Sequence, residues 1–256
     1  MRIARFSLNG EPKFGIVDGP ELVVLNGHPL VAGYDTTGER VPIKEVKLLA
    51  PTIPSKVVCV GLNYADHVAE IKDASAAAEP TLFLKPSSSI VGPGDAIVLP
   101  AQSEKVDLEV ELTIVMGQIA KNVSEKDALN YVWGFTIAND VTARDLQFSD
   151  QQWARSKSFD SFCPIGPWIE TEFVPAGQGI TATLNGEVKQ SSNLSEMIFK
   201  IPQIIEFVTN VMTLLPGDVI LTGTPAGISA MPAGSTISVS IDGLGTLTNK
   251  VSSRVQ

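Results

Sequence analysis

The chain has 256 residues, 44% of them hydrophobic, and its 28 acidic and 19 basic residues give a formal net charge of −9. This composition is that of a packed globular protein, and its negative charge without a basic run disfavours a nucleic-acid partner, because phosphate binding needs clustered Lys and Arg. The apolar runs are too short for a membrane span and the N-terminus lacks the apolar stretch of a signal peptide, so we expect a cytoplasmic protein without a membrane partner.

The first fifty residues are predicted to form a small β unit. Three short runs alternate apolar and polar residues, at Arg2–Leu8, Pro12–Val17 and Glu21–Leu25. Asn9-Gly10 and Asp18-Gly19 separate them, and both pairs favour hairpin turns. The pattern indicates consecutive antiparallel strands.

A domain boundary is predicted near residue 52. Pro51 and Pro54 precede a fresh hydrophobic run at Val57–Gly61, which predicts a buried strand. We therefore predict a small N-terminal domain over residues 1–52 and a main catalytic domain over residues 53–256. Cys59 and Cys163 lie in apolar or small-residue surroundings and are predicted to be reduced core residues.

Three helices are predicted in the main domain. Asn63 is the predicted cap of a helix that starts at Tyr64, and Ser124 opens a second helix that runs to about Tyr131. The third helix has Pro202 in its first turn. Its predicted apolar stripe consists of Ile204, Ile205, Val208, Val211, Met212 and Leu215. Strands outnumber helices elsewhere, so the predicted fold class is predominantly β with a few helices, an α+β protein.

The most informative segment is the run from Val106 to Ile114, in which Asp107, Glu109 and Glu111 share one face of a predicted strand. Residues two apart on a strand lie about 6.6 Å apart. Two carboxylates at that separation repel by about 2.5 kcal/mol at an effective dielectric constant near 20. Either solvent or a hard cation such as Mg²⁺ or Mn²⁺ can offset this repulsion, and the segment alone leaves both explanations open.

A further acid, Asp140, follows the apolar run Trp133–Asn139 and is itself followed by Arg144 and Asp145. An acid at the end of a buried strand is typical of a site assembled at a sheet edge. An Asp that caps a turn gives the same pattern. Asp140 therefore favours the metal explanation without establishing it.

His67 and Glu70 lie three residues apart, on one face of the first predicted helix. A carboxylate can orient an imidazole and raise its basicity, so that the pair can deprotonate water or a substrate carbon. A solvated helix surface has the same spacing. The other histidine, His28, lies in the predicted small domain, so His67 is the predicted source of any imidazole chemistry.

The run Val58–His67 (VCVGLNYADH) resembles the Gly-Asn-Tyr-x-x-His segment of the fumarylacetoacetate hydrolase family. The resemblance continues in order through blocks that cover nearly all of residues 55–251: Leu82–Pro86, Asp107–Leu112, Asn139–Gln147, Lys157–Asp160, Leu184–Glu187 and Pro216–Pro225. The chain is most similar to the short members that act as acylpyruvate hydrolases or oxaloacetate decarboxylases. This chain departs from the family pattern after Thr224-Pro225. The family has a Gly-Val-Gly turn there, whereas this chain reads Ala226-Gly227-Ile228-Ser229.

The resemblance implies a fumarylacetoacetate-hydrolase-like mixed β-roll with a small N-terminal domain, assembled as a homodimer. It also implies Mg²⁺ or Mn²⁺ held by Glu109, Glu111 and Asp140, with water and substrate oxygens as the remaining ligands. Asp107 precedes this pair of glutamates and is a supporting candidate.

The resemblance implies three catalytic groups. His67 and Glu70 would form a dyad on a mobile lid helix, and Lys157 would face the substrate carboxylate or the developing oxyanion. Arg144 and Gln147 would contact the substrate or support the metal, and Thr224 would bind the substrate carboxylate.

Several reactions are compatible with these groups. A small 2,4-dioxo or 2-oxo acid would lose its C3–C4 bond and leave a pyruvate enolate, by hydrolysis of an acylpyruvate or decarboxylation of oxaloacetate. A second interpretation is an isomerase or decarboxylase of 2-hydroxy-dienedioates. A third is an inactive binding scaffold, against which the complete set of acidic residues, His67 and Glu70 argues.

Other cofactors and mechanisms are disfavoured. No Gly-x-Gly-x-x-Gly follows a predicted strand, so no nucleotide cofactor is expected, and no cysteine cluster indicates zinc. Ser87–Ser89, Ser158 and Ser161 lack the nucleophile-elbow context of serine hydrolases. Lys85 is compatible with either a surface position or a role in the site.

Overall fold

A computed structural model describes residues 1–71 and 77–253, and within these residues the chain forms twenty β-strands and five α-helices. The strands are β1 Arg2–Leu8, β2 Glu11–Asp18, β3 Glu21–Leu25, β4 Thr36–Pro42, β5 Lys47–Leu49, β6 Val57–Gly61, β7 Thr81–Lys85, β8 Ile90–Val91, β9 Ala96–Leu99, β10 Val106–Leu108, β11 Val110–Met116, β12 Val132–Asn139, β13 Thr142–Ala143, β14 Cys163–Glu170, β15 Gly179–Leu184, β16 Glu187–Asn193, β17 Val219–Leu221, β18 Ser229–Ala230, β19 Thr236–Ile241 and β20 Gly245–Ser253. The α-helices are α1 Pro29–Ala32, α2 Ala65–Glu70, α3 Arg144–Ser149, α4 Ala154–Lys157 and α5 Ile201–Val211. Short 3-10 helices cover Ile43–Glu45, Ser87–Ser89, Glu125–Tyr131 and Leu194–Glu196. The predicted class, predominantly β with a few helices, is confirmed.

Most strands belong to one large sheet, in the order β4-β3-β2-β1-β14-β12-β11-β17-β6-β7, with β5 beside β1 and β8 beside β14. Two smaller sheets have the orders β13-β10-β18 and β16-β15-β19-β20-β9. Most neighbours are antiparallel, and β17 lies parallel to β6. Every residue of β11 is buried, so polar side chains on this central strand are withdrawn from water.

The N-terminal strands continue the large sheet rather than forming a separate one. The predicted hairpins form, because β1, β2 and β3 are consecutive antiparallel neighbours. Asn9 and Gly10 take φ angles of 52° and 86° in the first turn, as a tight hairpin requires. β1 also pairs with β14 through Ile3 and Ile169. The boundary at residue 52 stays a prediction, and strands on both sides of it share one sheet.

The helix predicted after Asn63 forms as α2, but the predicted role of Asn63 as its cap is wrong. The Asn63 amide instead donates to the carbonyl oxygens of Thr222 and Phe199, at 2.7 and 3.1 Å, and accepts the Phe199 N–H at 2.7 Å. These bonds connect the chain before α2 to the residue that follows β17 and to the segment that precedes α5. The residue in the cap position is Tyr64, without a capping side-chain bond.

The third predicted helix forms as α5, with Pro202 in its first turn. Its buried apolar residues include Ile204, Ile205 and Val208, as predicted. The predicted stripe extends too far, because α5 ends at Val211, which is exposed like Leu215 beyond it. The helix predicted to open at Ser124 forms as the 3-10 segment Glu125–Tyr131.

Both cysteines are buried free thiols, as predicted. Burial raises the pKa of Cys163 to about 12, so this thiol stays neutral at physiological pH. None of the helices in the described parts of the chain has the length and hydrophobicity needed to cross a membrane.

Candidate metal centre and active site

Glu109, Glu111 and Asp140 converge at the centre of the large sheet. Glu111 lies on β11, Glu109 immediately precedes it, and Asp140 immediately follows β12. The register pairs Val110 with Asn139, and the Asp140 N–H donates to the Glu109 carbonyl at 2.8 Å. One carboxylate oxygen from each of the three residues lies within 4.8 Å of the others. These three residues are called the acidic cluster below.

The acidic face predicted on residues 106–114 is not solvated. Asp107, Glu109 and Glu111 are 0%, 3% and 2% exposed, so the solvent explanation is wrong. The predicted continuous strand is also wrong, because it divides at Glu109 into β10 and β11, which belong to different sheets. At this division the Glu109 N–H bonds to a side chain rather than to the backbone of a neighbouring strand. Its acceptor is Asn139 Oδ1, at 2.9 Å.

Two buried lysines hold the acidic cluster. The ammonium group of Lys157, at the end of α4, donates to Glu109 Oε2 at 2.9 Å and to Asp140 Oδ2 at 2.6 Å. Lys85 donates to the other oxygen of Asp140 at 2.5 Å. Burial opposes the charge of Lys157, but Asp140 and Glu109 outweigh it and raise the pKa of Lys157 above its usual value. The two open interpretations of Lys85 are thereby resolved in favour of the site.

Arg144 links the acidic cluster to Asp107. Its guanidinium group donates to Asp107 Oδ2 at 2.8 Å, to Gln147 Oε1 at 2.5 Å, and to Glu109. Burial favours a neutral Glu109, but the charges of Lys157 and Arg144 outweigh it and hold the pKa of Glu109 well below its usual value. Arg144 and Gln147 therefore support the cluster in this structure, while the substrate contacts implied for them stay predictions.

Glu111 has no basic partner among the described residues. Its Oε2 accepts the Gly223 N–H at 2.6 Å. Burial, followed by the charges of Asp140 and Glu109, raises the pKa of Glu111 well above its usual value. When all four buried carboxylates are ionised, they exceed the buried cations by one negative charge: Asp107, Glu109, Glu111 and Asp140 against Lys85, Arg144 and Lys157. An oxygen donor set with surplus negative charge fits Mg²⁺ or Mn²⁺, so the predicted metal ligands pass this test of chemistry.

The predicted pair on α2 is in hydrogen-bond contact. His67 Nδ1 lies 3.1 Å from Glu70 Oε2. The carboxylate of Glu70 also accepts the Gly227 N–H, at 3.1 and 3.2 Å. Glu70 therefore connects α2 to the loop after Thr224-Pro225. In that loop Ser229 Oγ donates to the Gly227 carbonyl at 3.0 Å, so the residue that departs from the family pattern stabilises the loop.

Thr224 lies at the cavity with its hydroxyl group already bonded. The Thr224 hydroxyl donates to the Val110 carbonyl at 2.9 Å and accepts from Gln190 Nε2 at 2.8 Å. Gln190 also accepts the Val110 N–H at 2.8 Å. Sequence reasoning missed Gln190, because a lone Gln in the polar strand β16 carries no signal. For Thr224 to bind a substrate carboxylate, its hydroxyl would have to exchange the bond to Val110.

One cavity of about 280 Å³ collects these groups. Its polar lining contains all of the predicted metal ligands and most of the predicted catalytic and substrate-binding residues: Glu109, Glu111, Asp140, His67, Lys157, Arg144, Gln147 and Thr224. Its apolar lining includes Val60, Leu62, Ile71, Phe83, Phe148 and Trp153. Glu70 does not line the cavity and reaches it through His67.

Two family models match adjoining parts of the chain. The model for the C-terminal domain of fumarylacetoacetate (FAA) hydrolase matches residues 56–252. A model described as Rv2993c-like, N-terminal, matches residues 1–51.

Known proteins and solved structures resemble this chain over most or all of its length. Oxaloacetate tautomerase Fahd2a, mitochondrial, of Rattus norvegicus is 44% identical over 223 residues, which cover 82% of this chain and 71% of the rat protein. The crystal structure of 2-hydroxyhepta-2,4-diene-1,7-dioate isomerase from Mycobacterium marinum is 43% identical, covers 100% of both chains and has a TM-score of 0.93. The structure of maleylpyruvate hydrolase from Sphingobium sp. SYK-6, in complex with manganese(II) and pyruvate, is 28% identical with a TM-score of 0.83, again over 100% of both chains. The predicted fold is confirmed by these likenesses.

Proposed function

The chain belongs to the fumarylacetoacetate hydrolase family of enzymes, and we propose that it cleaves the C3–C4 bond of a small 2,4-dioxo or 2-oxo acid through a pyruvate enolate. The observation that carries this proposal is the single cavity that joins the acidic cluster to His67 and Lys157. An acylpyruvate would be hydrolysed and oxaloacetate would be decarboxylated.

The acidic cluster would hold Mg²⁺ or Mn²⁺. When bound, the ion would polarise the 2-oxo carbonyl and offset the charge that develops on its oxygen. Manganese(II) and pyruvate in the Sphingobium hydrolase support this assignment, since pyruvate is the product that C3–C4 cleavage would release here.

His67 would move the proton. When its Nδ1–H donates to Glu70, the lone pair on Nε2 is free to accept a proton. For an acylpyruvate, His67 would take a proton from the water that attacks C4. The C3–C4 electron pair then passes to the pyruvate enolate, C4 leaves as a carboxylic acid, and protonation at C3 gives pyruvate. For oxaloacetate, C4 leaves as CO₂ and no water is consumed.

Lys157 would stabilise the enolate. Its ammonium group has three N–H donors, of which Glu109 and Asp140 accept two. The third donor is available for an oxygen of the substrate. A buried, fixed cation beside a developing oxyanion lowers the barrier because it needs no reorganisation during the reaction.

A second candidate is keto–enol isomerisation. The names of the rat tautomerase and of the M. marinum isomerase favour it. The same enolate would form, but His67 would return the proton to a different position and the carbon chain would stay intact. Isomerisation of a 2-hydroxy-dienedioate would use this route, whereas its decarboxylation would in addition release CO₂ from the keto tautomer.

One experiment separates these reactions. The protein is loaded with Mg²⁺ or Mn²⁺ and given oxaloacetate or 2,4-dioxopentanoate, and both pyruvate and the enol absorbance are measured. Pyruvate above the uncatalysed rate supports cleavage, whereas loss of enol absorbance without pyruvate supports isomerisation. Glu109→Ala should abolish either activity, and exposed Glu125→Ala should retain it. If Glu109→Ala left metal binding and turnover unchanged, the proposed site would be wrong.

A further inference from the structure

We propose that the acyl end of the substrate binds against an apolar wall formed by Ile71, Phe83, Phe148 and Trp153, and that the enzyme therefore prefers hydrocarbon acyl groups over groups that end in a second carboxylate. All four side chains line the cavity that contains the acidic cluster. This inference rests on the proposed function, and it adds the substrate class that the proposed function leaves open.

The apolar wall begins directly beside the acidic cluster. Lys157 Nζ, which donates to Glu109 and Asp140, lies 4.8 Å from the centre of the Phe83 ring. Phe83 packs edge-on against Trp153, with ring centres 5.4 Å apart and an angle of 76° between their planes. If the 2-oxo acid end of a substrate lies at the acidic cluster, the part of the substrate next to it therefore lies beside the Phe83 ring.

The position of Trp153 is determined by the backbone around it. A Cβ atom at position 61 would lie 2.6 Å from the Trp153 ring, so Gly61 provides the room that the indole needs. The Trp153 carbonyl accepts the Lys157 N–H at 3.1 Å and the Ser156 hydroxyl at 2.9 Å. Because Trp153 and Lys157 share one helical turn, the apolar wall and the ammonium group hold fixed positions relative to each other.

Phe148 and Ile71 complete the apolar wall. Phe148 follows Gln147 on α3 and is 61% exposed, so its ring is available to a ligand in the cavity. An acyl chain that covers Phe148 removes apolar surface from water. Each methylene buried in this way strengthens binding by about fourfold.

The charge distribution disfavours a second carboxylate at the apolar wall. Arg144 and Lys157 are the permanently charged basic residues in the described lining, and carboxylates already engage both. A distal carboxylate would lose hydration against aromatic rings without gaining a free cation. This chain should therefore differ from a protein whose substrate is a 1,7-dioate, such as the one named for the M. marinum isomerase.

A binding experiment tests the apolar wall without requiring turnover. 2-Oxoheptanoate and 2-oxoheptanedioate, which have the same chain length, are each titrated calorimetrically into Mn²⁺-loaded protein. We expect the Kd of the monoacid to be lower by about tenfold or more. Phe148→Ala should reduce this difference by at least about threefold, and Leu129→Ala, a comparably exposed position outside the cavity, should preserve it. Equal affinities, tighter binding of the diacid, or no binding of the monoacid would overturn the inference.

A turnover experiment distinguishes the apolar wall from the proposed function. Pyruvate release is measured from 2,4-dioxoheptanoate and from 2,4-dioxoheptanedioate, and we expect kcat/KM to be about tenfold higher for the monoacid. Pyruvate from both at equal kcat/KM would support cleavage and overturn the apolar wall. No pyruvate from either, together with tighter binding of the 2-oxo monoacid, would refute cleavage and support the apolar wall.

Discussion

Glu111→Gln should stabilise the metal-free protein while removing its affinity for a divalent ion. Glu111 is buried without a basic partner among the described residues, beside two other carboxylates. Glutamine retains an oxygen that can accept the Gly223 N–H, so the substitution removes charge and preserves this bond. The same residue would then lower the stability of the apoprotein and hold its metal.

The size of the effect follows from proton linkage. A carboxyl group whose pKa is raised by folding lowers stability as the pH rises above the unfolded value, because the unfolded chain releases a proton that the folded protein retains. From an ordinary value of 4.5 to pH 7, at about 1.4 kcal/mol per pH unit, the loss is at most about 3 kcal/mol. Coulomb's law gives a similar scale, since unit charges 4.8 Å apart repel by about 3.5 kcal/mol at an effective dielectric constant near 20. Attraction from Lys157 offsets part of this repulsion.

Thermal unfolding with a chelator present measures the effect. We expect Glu111→Gln to be more stable than wild type by about 1–3 kcal/mol at pH 7, a rise in Tm of about 3–10 °C. The gain should shrink as the pH falls toward about 5. Adding Mn²⁺ should stabilise wild type and leave the variant unchanged. Glu11→Gln, at an exposed position on β2, is the matched control.

Two outcomes would refute this reasoning. A lower Tm for Glu111→Gln in chelator would show that the charge of Glu111 is compensated in the metal-free protein. Equal stabilisation of variant and wild type by Mn²⁺ would show that Glu111 is not a ligand.

Three further predictions concern the fold, the base and the order of binding. Asp218→Ala should reduce the free energy of unfolding by about 2–4 kcal/mol, because buried Asp218 accepts N–H bonds from Ser55, Lys56 and Leu215. Burial favours the neutral form of Asp218, but hydrogen bonds from Lys56 and Leu215 outweigh it and lower the pKa of Asp218. The stabilisation should therefore disappear as the pH falls below about 4. Denaturant titration at several pH values measures this loss. His67→Asn should lower kcat by about 10²–10⁴-fold without changing the Kd for Mn²⁺, and a large loss of Mn²⁺ affinity would contradict its assignment as a base. Oxalate, a non-reacting analogue of the 2-oxo acid end, should bind Mn²⁺-loaded protein and not chelator-treated protein in calorimetry, and equal binding to both would contradict the charge balance of the site.

The local parts of the fold could be predicted from the sequence because their signals are local. Asn9-Gly10 specifies a turn whatever surrounds it, and the spacing of apolar residues after Pro202 identifies α5. The pairing of β17 with β6 could not be predicted, since the two strands are far apart in the chain and no local pattern selects a parallel partner. The predicted Asn63 cap was wrong for a related reason: distant carbonyl groups compete successfully for its amide.

The acidic cluster was accessible from the sequence only in part. Alternation grouped Glu109 with Glu111, but the proximity of Asp140 depends on the register between β11 and β12. Alternation also left open a strand with one solvated face, whereas a strand at the centre of a covered sheet is buried on both faces. The basic partners were harder still, because Lys85 and Lys157 reach Asp140 from separate elements, and a lysine on a strand or helix more often points to solvent.

The number of buried cations beside the four carboxylates determines the net charge that a metal or a substrate meets at the site. A fourth buried cation would neutralise the four carboxylates and compete with a metal for their oxygens, while one fewer would increase the repulsion that the fold must overcome. With three, the metal-free site is close to neutral while Glu111 keeps its proton, and it offers an anionic substrate no net attraction. A divalent ion that displaces this proton would give the site one net positive charge, so the same residues would then attract the anion. Glu111 is the carboxylate that the cations leave unpaired, and its charge therefore links metal occupancy to substrate binding.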